Sequence, residues 1–180
     1  LLAEFDPDKR PALETGAAAA ALGELGYEEA VPVLVKAFER MADQGFSHGN
    51  ADAPAAAARA EVLSALSRLG GPQANAAVRR GLLDSDAGVQ RSALAAVQTL
   101  KEKESFLFVE RLAGSADDDT ARAAYLALGA LGGPDAERIL RFGLKASGAR
   151  RASAACGLMA MGESAGELAL DGFFEEEADP

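Results

Sequence analysis

The chain has little of what most catalytic chemistry requires. It contains one Cys, Cys156, which excludes an internal disulfide, and one His, His48, which excludes a His-based metal cluster or a His-rich catalytic site. Trp is absent. No apolar run approaches the roughly 18 residues of a membrane span, and no charged-then-apolar signal peptide opens the chain. The start at Leu1-Leu2, without Met, is expected of numbering that begins inside a longer protein or after a removed segment. Bases are outnumbered, with 18 Lys and Arg against 28 Asp and Glu, for a net charge of −10 and a pI near 4.6. Affinity for phosphate backbones draws on many Lys and Arg contacts, so neither a nucleic-acid nor a membrane partner is expected. No cofactor or metal is expected, and the expected location is cytoplasmic.

What is present is a globular composition. The 180 residues are 49% apolar and 26% charged, and a chain of this size can bury about 70% of its unfolded surface. One domain over 1–180 is expected. The acidity is unevenly placed: residues 163–180 carry seven acids and no base, while the rest holds 18 bases and 21 acids.

The strongest signal is internal repetition around an Ala-Leu-x-x-Leu-Gly element, with anchors at Leu25, Leu69, Leu100, Leu131 and Met161. Their spacings are 44, 31, 31 and 30 residues. Four residues before the anchor stands a small residue each time (Ala21, Ala65, Ala96, Ala127, Gly157). Seven before stands Ala18, Ala93, Ala124 or Ala154, with Val62 the exception. Nine after come Leu34, Val78, Val109, Leu140 and Leu170, and thirteen after come Phe38, Leu82, Ala113, Leu144 and Phe174. Both sets have the i, i+3, i+4, i+7 spacing of one helix face, so each unit is predicted to be a helical hairpin. Gly ends the first helix, and Gly71-Pro72 and Gly133-Pro134 start the second. Asp86, Asp117 and Ser147 recur at one repeat position and are expected to cap the next unit. One hairpin cannot bury both stripes alone, so the chain is predicted to be all-α, a right-handed α-solenoid of about five hairpins over residues 10–53, 54–86, 87–117, 118–147 and 148–175. An acidic tail, 175–180, follows.

The segments AAAALGELGYEEAVPVL (18–34) and AAYLALGALGGPDA (123–136) resemble the short HEAT-like repeat named for phycobilisome (bilin) lyases. The resemblance covers nearly all of 10–175. It implies that second helices line a concave face, and it implies either a scaffold or, as the alternative, a bilin-lyase-like or other HEAT-type enzyme subunit. The repeated His-Glu metal pairs of HEAT-like hydroxylases and the basic, aromatic groove of HEAT-type DNA glycosylases are both missing.

The longer first spacing places an insertion near Asp43–Asp52, read either as a contact loop offering Phe46, His48 and Asn50 or as a solvated linker. No nucleophile or metal partner stands at a recognisable spacing from His48. Asp84-Ser-Asp86-Ala-Gly88 begins like a calcium loop, yet Val89 and Ala95 occupy the positions that need Gly and a bidentate acid, which leaves helix capping. The run Asp117–Asp119 reads as a cap with favourable dipole charge. Gly129 to Gly133 ends a helix and follows no strand, so it is no phosphate loop. Cys156, among small residues, is expected to be a buried thiol.

Ten and eleven residues after the anchor, facing away from the apolar stripe, stand Lys36, Arg79, Arg80, Arg111 and Arg141, interrupted by Glu110 and Asp171 and extended by Arg138, Lys145, Arg150 and Arg151. This row reads as a surface for an acidic segment of a partner protein, or as a solvated face with local pairs such as Glu137 with Arg141. The expected function is that of a non-catalytic protein–protein interaction scaffold. The partner-binding candidates are Lys36, Arg79, Arg80, Arg111, Arg138, Arg141, Lys145, Phe46 and His48. The chain's own acidic tail is a possible occupant of the same face, and Leu1-Leu2, Phe5 and Phe173-Phe174 suggest self-association through the ends.

Overall fold

The computed structural model describes residues 11–48 and 53–178, without the side chains of 44–48 and 172–178. Among the described residues there are ten α-helices and no strand: α1 (Ala12–Glu24), α2 (Val31–His48), α3 (Ala53–Leu69), α4 (Pro72–Gly81), α5 (Ala87–Leu100), α6 (Phe106–Ala113), α7 (Asp118–Leu131), α8 (Pro134–Gly143), α9 (Gly148–Ala160) and α10 (Ser164–Ala178). Short 3-10 turns at Glu28–Ala30 and Lys103–Ser105 lead into α2 and α6. The chain divides into two compact units, residues 1–100 and 101–180.

In the first unit α3 packs on both α1 and α5, while α4 packs on α2, α3 and α5. In the second unit α9 packs on α7 and α10, and α8 lies against α7 and α9. Each unit is thus a stack of helical hairpins, the arrangement of an α-solenoid. The predicted stripes form the core: Leu22, Leu66, Val97, Leu128 and Leu158 are buried on first helices, and Leu34, Val78, Val109 and Leu140 on second helices.

Small residues bring the first helices close. A methyl added at Gly129 would lie 2.6 Å from the Gly157 Cα, and one at Gly23 would lie 2.8 Å from the Ala65 Cα, so α7 meets α9 and α1 meets α3 at near-backbone contact. After the anchor, Gly26, Gly70, Gly132 and Gly162 take φ between 66° and 82°. The third copy has no glycine there, and Lys101 adopts φ 50°, a left-handed conformation that costs a side-chain-bearing residue about 1–2 kcal/mol.

Several expectations need correction. Leu25 is 72% exposed and Ala21 is exposed, although both belong to the repeating stripe. The equivalent Ala65 is buried against Gly23 of the preceding hairpin, whereas no described helix packs on that side of α1. The Asp43–Asp52 insertion is helical as far as His48, because the added residues lengthen α2. Ser147 makes no capping hydrogen bond, while Asp86 accepts from the Val89 amide (3.0 Å) and Asp117 from the Thr120 amide (2.8 Å). Cys156 is exposed, since it falls between the inward positions held by Ala155 and Gly157. Leu1, Leu2, Phe5 and Asn50, and the side chains of Phe46, His48, Phe173 and Phe174, lie outside the described residues.

Leu128 and Leu140 are fully buried and Lys36 is exposed. Leu128→Ala and Leu140→Ala should each destabilise by about 2–5 kcal/mol, and Lys36→Ala should change stability by no more than about 0.5 kcal/mol. Urea denaturation of the three variants checks this, and equal effects would mean that the faces are assigned wrongly.

Candidate protein-interaction face

The buried row on each second helix fixes where its neighbours point. With Leu34, Val78, Val109 and Leu140 turned inward, the residues one and two positions later are carried toward solvent by the 100° step of the helix. In the first unit this exposes Lys36 on α2 and leaves Arg79 and Arg80 half-buried on α4. Arg80 forms an ion pair and hydrogen bond with Asp43 near the end of α2.

In the second unit Arg111 is exposed on α6. Arg138 on α8 lies 3.8 Å from Glu110 and 3.6 Å from Asp135. Arg141 donates to Glu137 (2.6 Å) and to Glu163 at the start of α10 (3.1 Å). The hydrogen bond with Glu137 raises the Arg141 guanidinium pKa above its ordinary value. Arg150 donates to Asp118 (2.6 Å) and to the Ser115 carbonyl (2.9 Å), tying the start of α9 to the turn before α7. The predicted Glu137–Arg141 pair is therefore present, and Arg80, Arg138, Arg141 and Arg150 all have acidic neighbours. These faces are mixed in charge rather than uniformly basic.

Between α6 and α8 lies a groove of about 500 Å³. Its floor is Tyr125 of α7, one side is Ala113 and Gly114, and the other is Ile139, Phe142 and Lys145. Phe142 is 70% exposed, and the Lys145 ammonium stands 5.5 Å from its ring centre. Sequence periodicity noted Ala113 at the thirteenth position after the anchor without drawing out the space that this small residue leaves.

A second feature that the sequence reading missed is a buried ion pair. Arg59 of α3 donates from Nε and Nη2 to the two carboxylate oxygens of Asp84, at 2.9 and 3.0 Å. Both side chains are about 5% exposed. Asp84 also accepts from the Asp86 amide (2.9 Å), so its carboxylate is bound from two directions. The Asp84-Ser-Asp86 sequence was readable as a capping turn, but nothing local points to a base 25 residues earlier.

Among the described residues no group of three or more His, Cys, Asp or Glu could hold a metal ion, and no helix is long and apolar enough to cross a membrane.

Against this geometry, residues 16–40, from α1 into α2, match the model of the PBS lyase HEAT-like repeat. No curated protein matches the chain. Among solved structures the chain is similar to an engineered protein, the crystal structure of a Northeast Structural Genomics Consortium target. The two are 18% identical, over 98% of this chain and 83% of that one, with a TM-score of 0.51. At this identity the likeness concerns the fold alone. The fold defines an all-α protein of stacked helical hairpins, and its segment 16–40 matches the HEAT-like repeat.

Removing one member of a buried charge pair leaves the other uncompensated. Arg59→Ala should therefore destabilise by about 3–5 kcal/mol, and replacing both residues (Arg59→Met with Asp84→Leu) should recover much of that loss. Urea unfolding of the single and double variants tests this, and a single variant as stable as the parent would show the pair to be dispensable.

Proposed function

We propose that the chain is a non-catalytic scaffold that binds another protein, and that its second-helix faces receive an acidic segment of that partner. The observation that carries this reading is the recurrence of Lys36, Arg79, Arg80, Arg111 and Arg141 at one pair of repeat positions just outside the buried row, joined by Arg138 and Lys145. Arg is suited to such a surface because its planar fork meets a carboxylate in two parallel hydrogen bonds. The present partners are exposed pairs, such as Asp43 with Arg80 and Glu137 with Arg141. Exchanging one of these carboxylates for a partner's leaves no charge buried and unpaired, so the surface can be re-paired cheaply. HEAT-like hairpins supply a repeated, extended face for such contacts. Phe46 and His48, at the end of α2, are further contact candidates, and the acidic segment 175–180 is an internal competitor for the same bases.

Charge reversal tests this reading. With a fluorescent polyglutamate peptide as probe, Arg80→Glu combined with Arg141→Glu should slow association and weaken binding, and added salt should weaken the parent's binding. The melting temperature should move little, because the broken pairs are exposed. If binding survives the double change at physiological salt, the row is only a solvated face.

The enzyme alternative has a separate readout. Mixing the chain with a linear tetrapyrrole should produce no new visible absorption band, and a stable band would favour a bilin-lyase-like subunit instead.

A further inference from the structure

We infer that the groove between α6 and α8 is a peptide-docking site that takes a large apolar or aromatic side chain presented within the partner's acidic segment. The inference rests on the reading above for the partner's acidity. It adds where that segment is anchored and by which side chain.

The groove exists because a repeated side chain is missing. At the thirteenth position after the anchor the chain carries Phe38, Leu82 and Leu144, but in the third copy it carries Ala113, followed at once by Gly114. Phe38 and Leu82 are fully buried at this position, whereas Ala113 and Gly114 border the groove. Its volume of about 500 Å³ falls within the roughly 300–1,000 Å³ of clefts that hold a single ligand. A peptide side chain fits such a space, whereas a folded domain does not.

The walls choose the chemistry. Ile139 and the Tyr125 ring offer apolar surface, and Phe142 stands 70% exposed beside them. Phe142 occupies the position that holds Lys36, Arg80 and Arg111 in three other copies. An aromatic side chain entering the groove gains burial against these residues and an edge-to-face contact with the Phe142 ring.

Charge complementarity specifies what flanks that side chain. Glu110 faces Arg138, and the Arg150 guanidinium is held by Asp118 and the Ser115 carbonyl, so these lining charges already have partners. Lys145 instead has its ammonium over the Phe142 ring, and no carboxylate pairs with it among the described residues. A carboxylate next to the docked aromatic side chain would meet this cation at the rim. The occupant is therefore an acidic peptide with one large apolar residue, as distinct from a uniformly acidic one.

The test uses the full chain and two acetylated, amidated pentapeptides, one with a central Phe flanked by two Glu on each side and one with Ala at the centre. In two-dimensional NMR the Phe peptide should shift the resonances of Tyr125, Ile139 and Phe142. It should bind about tenfold or more tighter than the Ala peptide, the gap expected of a buried aromatic anchor. Phe142→Ala should remove most of that gap, and Ala113→Leu, which refills the space, should do the same. Both should retain the parent's helical circular dichroism, since one residue is exposed and the other replacement restores what neighbouring copies carry. Equal binding of the two peptides, undiminished preference in Phe142→Ala, or no shift at Tyr125 and Ile139 overturns the inference. The two readings fail separately: equal binding that is lost on reversing Arg80 and Arg141 keeps the acidic-partner reading without the groove, while Phe-selective binding that ignores the reversal keeps the groove alone.

Discussion

Close approach of the first helices is the constraint on which the rest of each unit depends. Gly129 against Gly157, Gly23 against Ala65 and Gly16 against Ala58 let one backbone rest almost directly on the next. Larger side chains there would push the first helices apart and open the contacts behind them. Those contacts have little slack: a methyl at Gly81 would lie 2.6 Å from a Leu63 methyl, and one at Gly143 would lie 2.9 Å from the Ala154 Cβ. The apolar free energy comes chiefly from the Leu, Val and Phe side chains, because burying apolar area stabilises in proportion to that area. The small residues contribute mainly by setting the distance at which the larger ones meet. Once that distance is fixed, Val78 and Leu140 must point inward, and the bases after them have nowhere to go but outward.

The buried pair of Arg59 and Asp84 works against the interchangeability of a periodic stack. Small-residue stripes and leucines recur in every copy, so apolar contact alone distinguishes one hairpin from another only weakly. At the repeat positions of Arg59 the other copies carry Thr15, Gln90, Ala121 and Arg151, and at those of Asp84 they carry Arg40, Ser115, Ala146 and Glu176. In the second copy the base and the acid meet as a fork on a carboxylate in the interior. Any arrangement that separated them would leave two charges dehydrated and unpaired, a larger penalty than a misplaced leucine imposes. The polar contact ties α3 to the turn after α4 in one register, while the apolar stripes supply cohesion.

The fold was legible because helical hairpins leave a local record. Which face of a helix is inward can be read from spacing alone, and the rows at Leu128 and Leu140 follow it closely. What lies opposite a face cannot be read that way. Leu25 and Ala21 match the inward pattern yet are exposed, since burial requires a neighbouring helix as well as a periodic position. Cys156 shows the converse, where small neighbours suggested burial and one helical step turned the thiol outward. The proposed interaction face was legible in its bases but not in their acidic partners, for Asp43 and Arg80 lie 37 residues apart and Arg141 and Glu163 lie 22 apart. The groove was written in the sequence as an irregularity, Ala113-Gly114 where other copies carry bulk, and periodicity analysis gives weight to agreement between copies rather than to departures from it.

That departure decides what kind of recognition the face can perform. Exposed ion pairs exchange partners readily, so on the proposed reading rows of bases such as Arg79, Arg80, Arg111 and Arg138 would steer an acidic chain and speed its arrival without selecting one acidic sequence over another. Selectivity needs a contact that a wrong residue cannot make, and desolvated aromatic side chains in shaped recesses are where binding energy concentrates. A perfectly regular repeat would have no such recess, because each copy would fill it with the same leucine. A small residue in place of a core side chain forgoes apolar contact, while the adjacent Leu112 and Val109 remain buried. On the proposed reading, a specific contact to a partner therefore comes from the copy whose thirteenth position departs from the repeat, at Ala113.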